Sequence, residues 1–183
     1  MAVKKKPASR GIKINRAPVL TLWAAVVAQR LGFDWNAALT LGRAVAGLNA
    51  YAKGRALGIF HPRTKDFREK KKKLRAGERM RVQLLGRAVP VMRTRSGLRA
   101  ATKGRPIAPE SVRRYLDSKF GNAYSTARSA MATLARSCKP QDLASDAYAL
   151  YAKFRPAIPA GRKGWGAAGA LDLERVRTLA RRS

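Results

Sequence analysis

Pro18-Val-Leu-Thr-Leu-Trp-Ala-Ala-Val-Val-Ala-Gln-Arg-Leu-Gly-Phe-Asp-Trp35 decides the fold. Proline suits the first turn of a helix, where a backbone N–H would have no intrahelical partner, and Gly32 suits the end of one. Between them Val19, Leu20, Leu22, Trp23, Val26, Val27 and Leu31 leave almost no polar face. A helix that is apolar all round belongs inside a protein, so helix 18–31 is expected at the centre with the remaining elements around it. Asp34 carries the short carboxylate that accepts from exposed first-turn amides, which predicts a second helix from Trp35 to about Lys53. Gly42 and Gly47 within that helix each cost about 1 kcal/mol of propensity relative to alanine. Close approach of the helix backbones would offset the cost.

The C-terminal third repeats the helical signals. Pro109 and Glu110 open a helix that stops at Gly121, and a second covers Tyr124 to Ser137. A third starts at Pro140 and carries Leu143, Ala147, Leu150, Tyr151 and Phe154 at helical spacing, and Asp172 caps a last short helix ending in Arg181 and Arg182. Between the two helical regions only residues 81–93 have β character, with a turn expected at Gly86-Arg87 and with Pro90 confining its strand to an edge. Residues 94–108 read as a basic loop. The expected fold is therefore mainly α: a compact bundle of five to six helices with at most one small β-hairpin and basic loops. It divides into a basic flexible arm over 1–16 and a single helical domain over 17–183, with a basic insertion at about 61–108.

Charge supplies the function class. The 183 residues hold 40 Lys and Arg against 10 Asp and Glu, a formal net charge of +30. A folded protein this cationic repels itself unless a polyanion is near, and nucleic acid is the first candidate. The charge is concentrated in places: Lys4, Lys5, Lys6 and Arg10 in the acid-free arm, Lys70, Lys71, Lys72, Lys73 and Arg75 in the densest run, and Arg93, Arg95, Arg99, Lys103 and Arg105 in the loop. Arg162 and Lys163 flank a glycine-rich crossing. Such segments bind phosphates, which position a protein on nucleic acid without reading bases. The plain alternative is a solvated basic surface.

Residues 24–43 also match the spacing of a helix-turn-helix, with Val27, Ala28, Leu31, Gly32, Phe33, Ala38 and Leu41 at the apolar and turn positions. Its second helix would offer Asn36, Thr40 and Arg43 to a groove, and Arg43 could reach a guanine edge or a phosphate. The alternative is a pair of antiparallel helices whose glycine merely caps the first. Most aromatic residues, including Tyr115 and Tyr124, have helix-face spacing and belong to the core, whereas Trp35 and Trp165 lie near turns and are candidates for stacking on bases.

Catalysis finds little support. His61 is the sole histidine, and no nucleophile accompanies it. With Cys138 it makes two metal ligands, too few for a structural zinc site. Asp142 with Asp146, and Asp172 with Glu174, are the carboxylates that a metal-dependent phosphodiesterase would use. Gly164, Gly166 and Gly169 match a dinucleotide-binding glycine pattern but lack the preceding strand and following helix that the pattern requires. No cofactor, no metal and no enzymatic activity are expected. The longest apolar run is shorter than the roughly 20 residues of a membrane span. Ser9, Arg10, Lys13, Asn15 and Arg16 stand where a signal peptide would be apolar. The lone Cys138 fits a reducing compartment.

Three stretches, Arg16-Ala-Pro-Val-Leu-Thr-Leu-Trp-Ala24, Leu39-Thr-Leu-Gly-Arg-Ala-Val-Ala-Gly-Leu-Asn49 and Phe154-Arg-Pro-Ala-Ile-Pro-Ala-Gly-Arg-Lys-Gly-Trp-Gly166, resemble a family of bacterial proteins without an assigned function. The resemblance covers most of residues 16–180. It implies a bacterial cytoplasmic setting and carries no activity, cofactor or site residue. The expectation is thus a non-enzymatic nucleic-acid-binding protein, with duplex DNA favoured as the partner, acting at the nucleoid or in regulation. The alternative is an RNA-binding or ribosome-associated protein. The sequence leaves base specificity and oligomeric state open.

Overall fold

A computed structural model describes residues 11–56, 80–162 and 166–183. In chain order these form β1 (Ile12–Asn15), α1 (Arg16–Arg30), α2 (Trp35–Ala56), β2 (Arg81–Leu84), β3 (Arg87–Thr94), β4 (Gly97–Thr102), β5 (Arg105–Pro106), α3 (Pro109–Phe120), α4 (Tyr124–Ser137), α5 (Pro140–Phe154), β6 (Ala168–Leu171) and α6 (Leu173–Arg182). A 3₁₀ turn over Gly121–Ala123 separates α3 from α4.

The central helix is as the apolar run requires. Every residue of α1 from Pro18 to Ala28 is buried. Trp23, fully buried, donates its indole N–H to the Ala147 carbonyl of α5 at 2.8 Å and meets the Phe154 ring edge-on at 5.3 Å. Tyr151 donates to the Arg16 carbonyl at 3.2 Å, and Arg16 in turn donates to the Pro156 carbonyl at 3.1 Å, so α5 is fastened to both ends of the entry into α1. Burial pushes the Tyr151 phenol well above its ordinary range, which keeps it a donor at any physiological pH.

Asp34 caps α2 as its position suggests, accepting from the Ala37 amide at 3.0 Å. The two glycines of α2 differ. A Cβ on Gly42 would strike the Thr21 carbonyl and come within 2.9 Å of the Ala25 amide, whereas one on Gly47 would meet nothing within 4 Å. Close backbone packing accounts for Gly42 only. Gly42→Ala is expected to destabilise by about 1–3 kcal/mol through overpacking, and Gly47→Ala to stabilise by about 0.5–1 kcal/mol. Thermal denaturation of the two variants should therefore move in opposite directions.

The expected mainly α bundle with at most one hairpin is overturned. The fold is mixed α/β, with a four-stranded antiparallel sheet in the order β2-β3-β4-β5 and a two-stranded sheet pairing β1 with β6. The larger sheet takes in most of the supposed basic loop. Its register sets Val82 opposite Val89, Val91 opposite Ala100 and Arg93 opposite Leu98. The face carrying Val89, Val91 and Ala100 is buried beneath α2. Two of its turns are two-residue connections with both residues left-handed, Leu85-Gly86 (φ 48° and 72°) and Lys103-Gly104 (φ 51° and 74°). This is the turn geometry that follows the natural twist of paired strands. The loop reading fails because β4 is Gly-Leu-Arg-Ala-Ala-Thr, with alanine where β-branched residues would signal a strand.

The second sheet is a long-range pairing, with Ile12 opposite Leu171 and Asn15 opposite Ala168. Four of the sixteen residues expected as an arm, Ile12–Asn15, are thus a strand, and the residues before Gly11 lie outside the described part. Gly169 sits where the chain crosses Ala157, and a Cβ there would fall 2.6 Å from the Ala157 carbonyl carbon. The last of the three pattern glycines is therefore required by packing inside an antiparallel strand, the opposite of a phosphate-cradling turn.

Candidate nucleic-acid interface

The sequence places cations throughout, and the fold sorts them. Of the expected contact residues, Lys4, Lys5, Lys6, Arg10, Lys70, Lys71, Lys72, Lys73, Arg75 and Lys163 lie outside the described residues, as do His61 and Trp165. Arg93, at the end of β3, and Arg95, in the turn after it, are exposed; so are Lys103 and Arg105 around the next turn, and Arg162. The two turns are at opposite ends of β4, which at six residues sets the pairs roughly 20 Å apart.

Arg99 behaves otherwise. It is only 5 % exposed, and its guanidinium donates to the Leu98 carbonyl at 2.7 Å and the Ser96 carbonyl at 2.9 Å. Its donors hold the β3–β4 turn, so it offers no charge to the surface.

Helix α2 was the candidate recognition helix. Thr40, fully buried, donates to the Ala37 carbonyl at 2.8 Å and accepts from the Ala100 amide at 2.9 Å. The physical reason is that β5 is only two residues long. Ala100 passes its carbonyl to Ile107 beyond that short strand, and its amide has the Thr40 hydroxyl in place of a strand partner. Thr40 therefore joins α2 to the sheet and reads no base. Thr40→Val keeps the shape but orphans a buried N–H, at a cost of about 1–3 kcal/mol. Denaturant unfolding should show this loss, while nucleic-acid affinity measured on the folded variant stays unchanged.

Arg43 is exposed, with its guanidinium 4.5 Å above the centre of the Tyr115 ring of α3. It is one member of a larger group. Arg113, two residues before Tyr115, donates to the Asn36 side chain of α2 at 3.1 Å. Arg128 of α4 lies 3.9 Å above the Trp35 ring. Tyr124 closes the group: burial pushes its phenol up, and the charges of Arg128 and Arg113 pull it back in part. Tyr115 is raised for the same first cause, against the lowering influence of Arg43. Both phenols stay neutral at physiological pH and place no negative charge beside a bound phosphate.

The chemistry of this surface follows from its parts. A guanidinium placed over a ring is held by about 0.5–1 kcal/mol at an exposed site. Its planar fork of N–H donors matches two phosphate oxygens, and in Arg43 that fork also shares a hydrogen bond with the Tyr115 side chain. Trp35, a candidate for stacking on bases, has one face already covered by Arg128. Arg113 and Arg128 were not distinguishable in sequence, since each meets its partner across a gap between helices. The nearby acids are few: Asp34 is occupied in capping α2, and Asp117 is near Tyr124.

The carboxylate pairs lie apart from this surface. Asp142 and Asp146 are exposed on α5, Asp172 caps α6 by accepting from the Glu174 and Arg175 amides, and Glu174 pairs with Arg177. Among the described residues no three His, Cys, Asp or Glu side chains are grouped as a metal site would need, and no helix is long and apolar enough to cross a membrane. No family model matches the chain, and no curated protein and no solved structure is similar to it at a significant level.

Proposed function

We propose that this is a non-enzymatic nucleic-acid-binding protein that holds duplex DNA through backbone phosphates, acting at the bacterial nucleoid or in regulation. One observation carries the reading: among the described residues a single ion pair, Glu174 with Arg177, joins acid to base. Among the described residues the other surface cations that have a partner meet rings, amide oxygens, hydroxyls or main-chain carbonyls. Such a surface keeps its charge available to a polyanion, and each phosphate it meets releases counterions. Arg43, Arg113 and Arg128 supply one ordered part of the contact, and the exposed Arg93, Arg95, Lys103, Arg105 and Arg162 supply further charge. The basic segments Lys4–Lys6 with Arg10, Lys70–Lys73 with Arg75, and Lys163 add charge along the chain.

Competition between a duplex DNA and a folded RNA of equal length, at fixed salt, tests the choice of partner. The duplex is expected to displace the RNA. Displacement in the other direction would assign the protein to RNA.

A further inference from the structure

Helices α4 and α6 pack side by side and leave an open groove of about 550 Å³ between them. One wall carries three hydroxyls of α4, the adjacent Ser125 and Thr126 and then Ser129 one turn after Ser125; the other is Arg177 and Arg181, one turn apart on α6. Ala130, buried, and Ala180 are the small residues between the rows, and they keep the groove open. The three hydroxyls make no hydrogen bond to another described residue. Arg177 pairs with Glu174, and no acid among the described residues pairs with Arg181.

We infer that this groove is a binding site for the phosphate group of a small phosphomonoester. A tetrahedral dianion presents oxygens in several directions at once, so it can accept from guanidinium groups on one side and hydroxyls on the other. A planar carboxylate satisfies one wall only. Glu174 has a defined part: its carboxylate occupies Arg177 in the empty groove and competes with the incoming anion. The site shares α4 with the cationic surface but uses none of Arg43, Arg113 and Arg128, and it does not rest on nucleic-acid binding.

Amide NMR titration of the whole chain with inorganic phosphate and with phenyl phosphate tests this. Saturable shifts are expected for the amides of Ser125–Ser129 and Arg177–Arg181. Affinity should fall about tenfold in Arg181→Gln and drop measurably in Ser129→Ala, each replacing one donor to a charged group. It should rise several-fold in Glu174→Gln, which frees Arg177. All three positions are at the surface, and unchanged shifts elsewhere in the spectrum verify the fold. Shifts that fail to saturate, or affinities equal in all three variants, would overturn the site. Movement of the same amides by duplex DNA, with neither small phosphate having an effect, would give the groove to the nucleic-acid backbone and overturn it as well.

Discussion

Trp23→Ala is expected to destabilise the protein by about 3–5 kcal/mol, the range for removing a large aromatic from a packed core. For a chain of this size each kcal/mol lowers the melting temperature by about 2–4 °C, so a drop of about 6–20 °C should appear in a thermal scan. Three effects add at this site. The side chain is fully buried, its indole N–H is bonded to Ala147, and its ring meets Phe154 edge-on. Loss of the residue removes one of the ties between α5 and α1 and opens a cavity in a helix that is buried along eleven consecutive residues. Trp23→Phe separates the terms. It retains most of the apolar volume and loses the hydrogen bond, so it should cost about 1–2 kcal/mol. Equal losses in the two variants would show that packing contributes little, contrary to the account of α1 as the hub.

The larger effect concerns binding. If 6–10 phosphates are neutralised, raising salt from 50 to 200 mM is expected to weaken duplex DNA binding by about three to five decades. The basis is the net charge of +30 together with the single ion pair among the described residues. A basic surface laced with acids would have its fields cancelled at short range, and its affinity would depend weakly on salt. Here the guanidinium groups of Arg43 and Arg128 lie on rings, and Arg113 is bonded to a neutral amide, so none is neutralised before the partner arrives. Replacing these three by glutamine removes up to three phosphate contacts and should lower the log–log salt slope by about 3. The side chains are at the surface, so the variant should melt within a few degrees of the parent.

Much of the helical part of this architecture was legible in the chain. Asp34 and Asp172 cap the helices they precede, Gly42 marks the closest approach of α1 and α2, and the bounds of α3, α4 and α5 follow the Pro and Gly signals. These features are local, and side-chain chemistry within a few residues determines them. The sheets were not legible, because their determinants are distant. β1 and β6 pair across more than 150 residues, and β6 is Ala-Gly-Ala-Leu, a string with no strand propensity of its own. β4 is a strand because α2 covers it and Thr40 satisfies Ala100, a relation no periodicity reveals. Residues 94–108 read as a loop because glycines and basic residues disguise the strands on either side of the Lys103-Gly104 turn.

The site divided along the same line. That charge was in excess could be counted, and Arg43 was found by its position on α2. Arg99 was misjudged because sequence reports charge and not burial; only the fold shows its guanidinium turned to the main chain. Arg113 and Arg128 acquire meaning from Asn36 and Trp35 on another helix. Gly47 was assigned a packing role by analogy with Gly42, five residues earlier, although that side of the helix faces open space.

The central claim is phosphate-backbone binding by an unneutralised cationic surface. The most direct test is fluorescence anisotropy of a labelled DNA duplex titrated with the protein at stepped salt between 50 and 200 mM, repeated for Arg43→Gln/Arg113→Gln/Arg128→Gln. The parent is predicted to give a log–log slope of about −5 to −9, and the variant a slope shallower by about 3. A parent affinity that stays flat across that range would contradict the account.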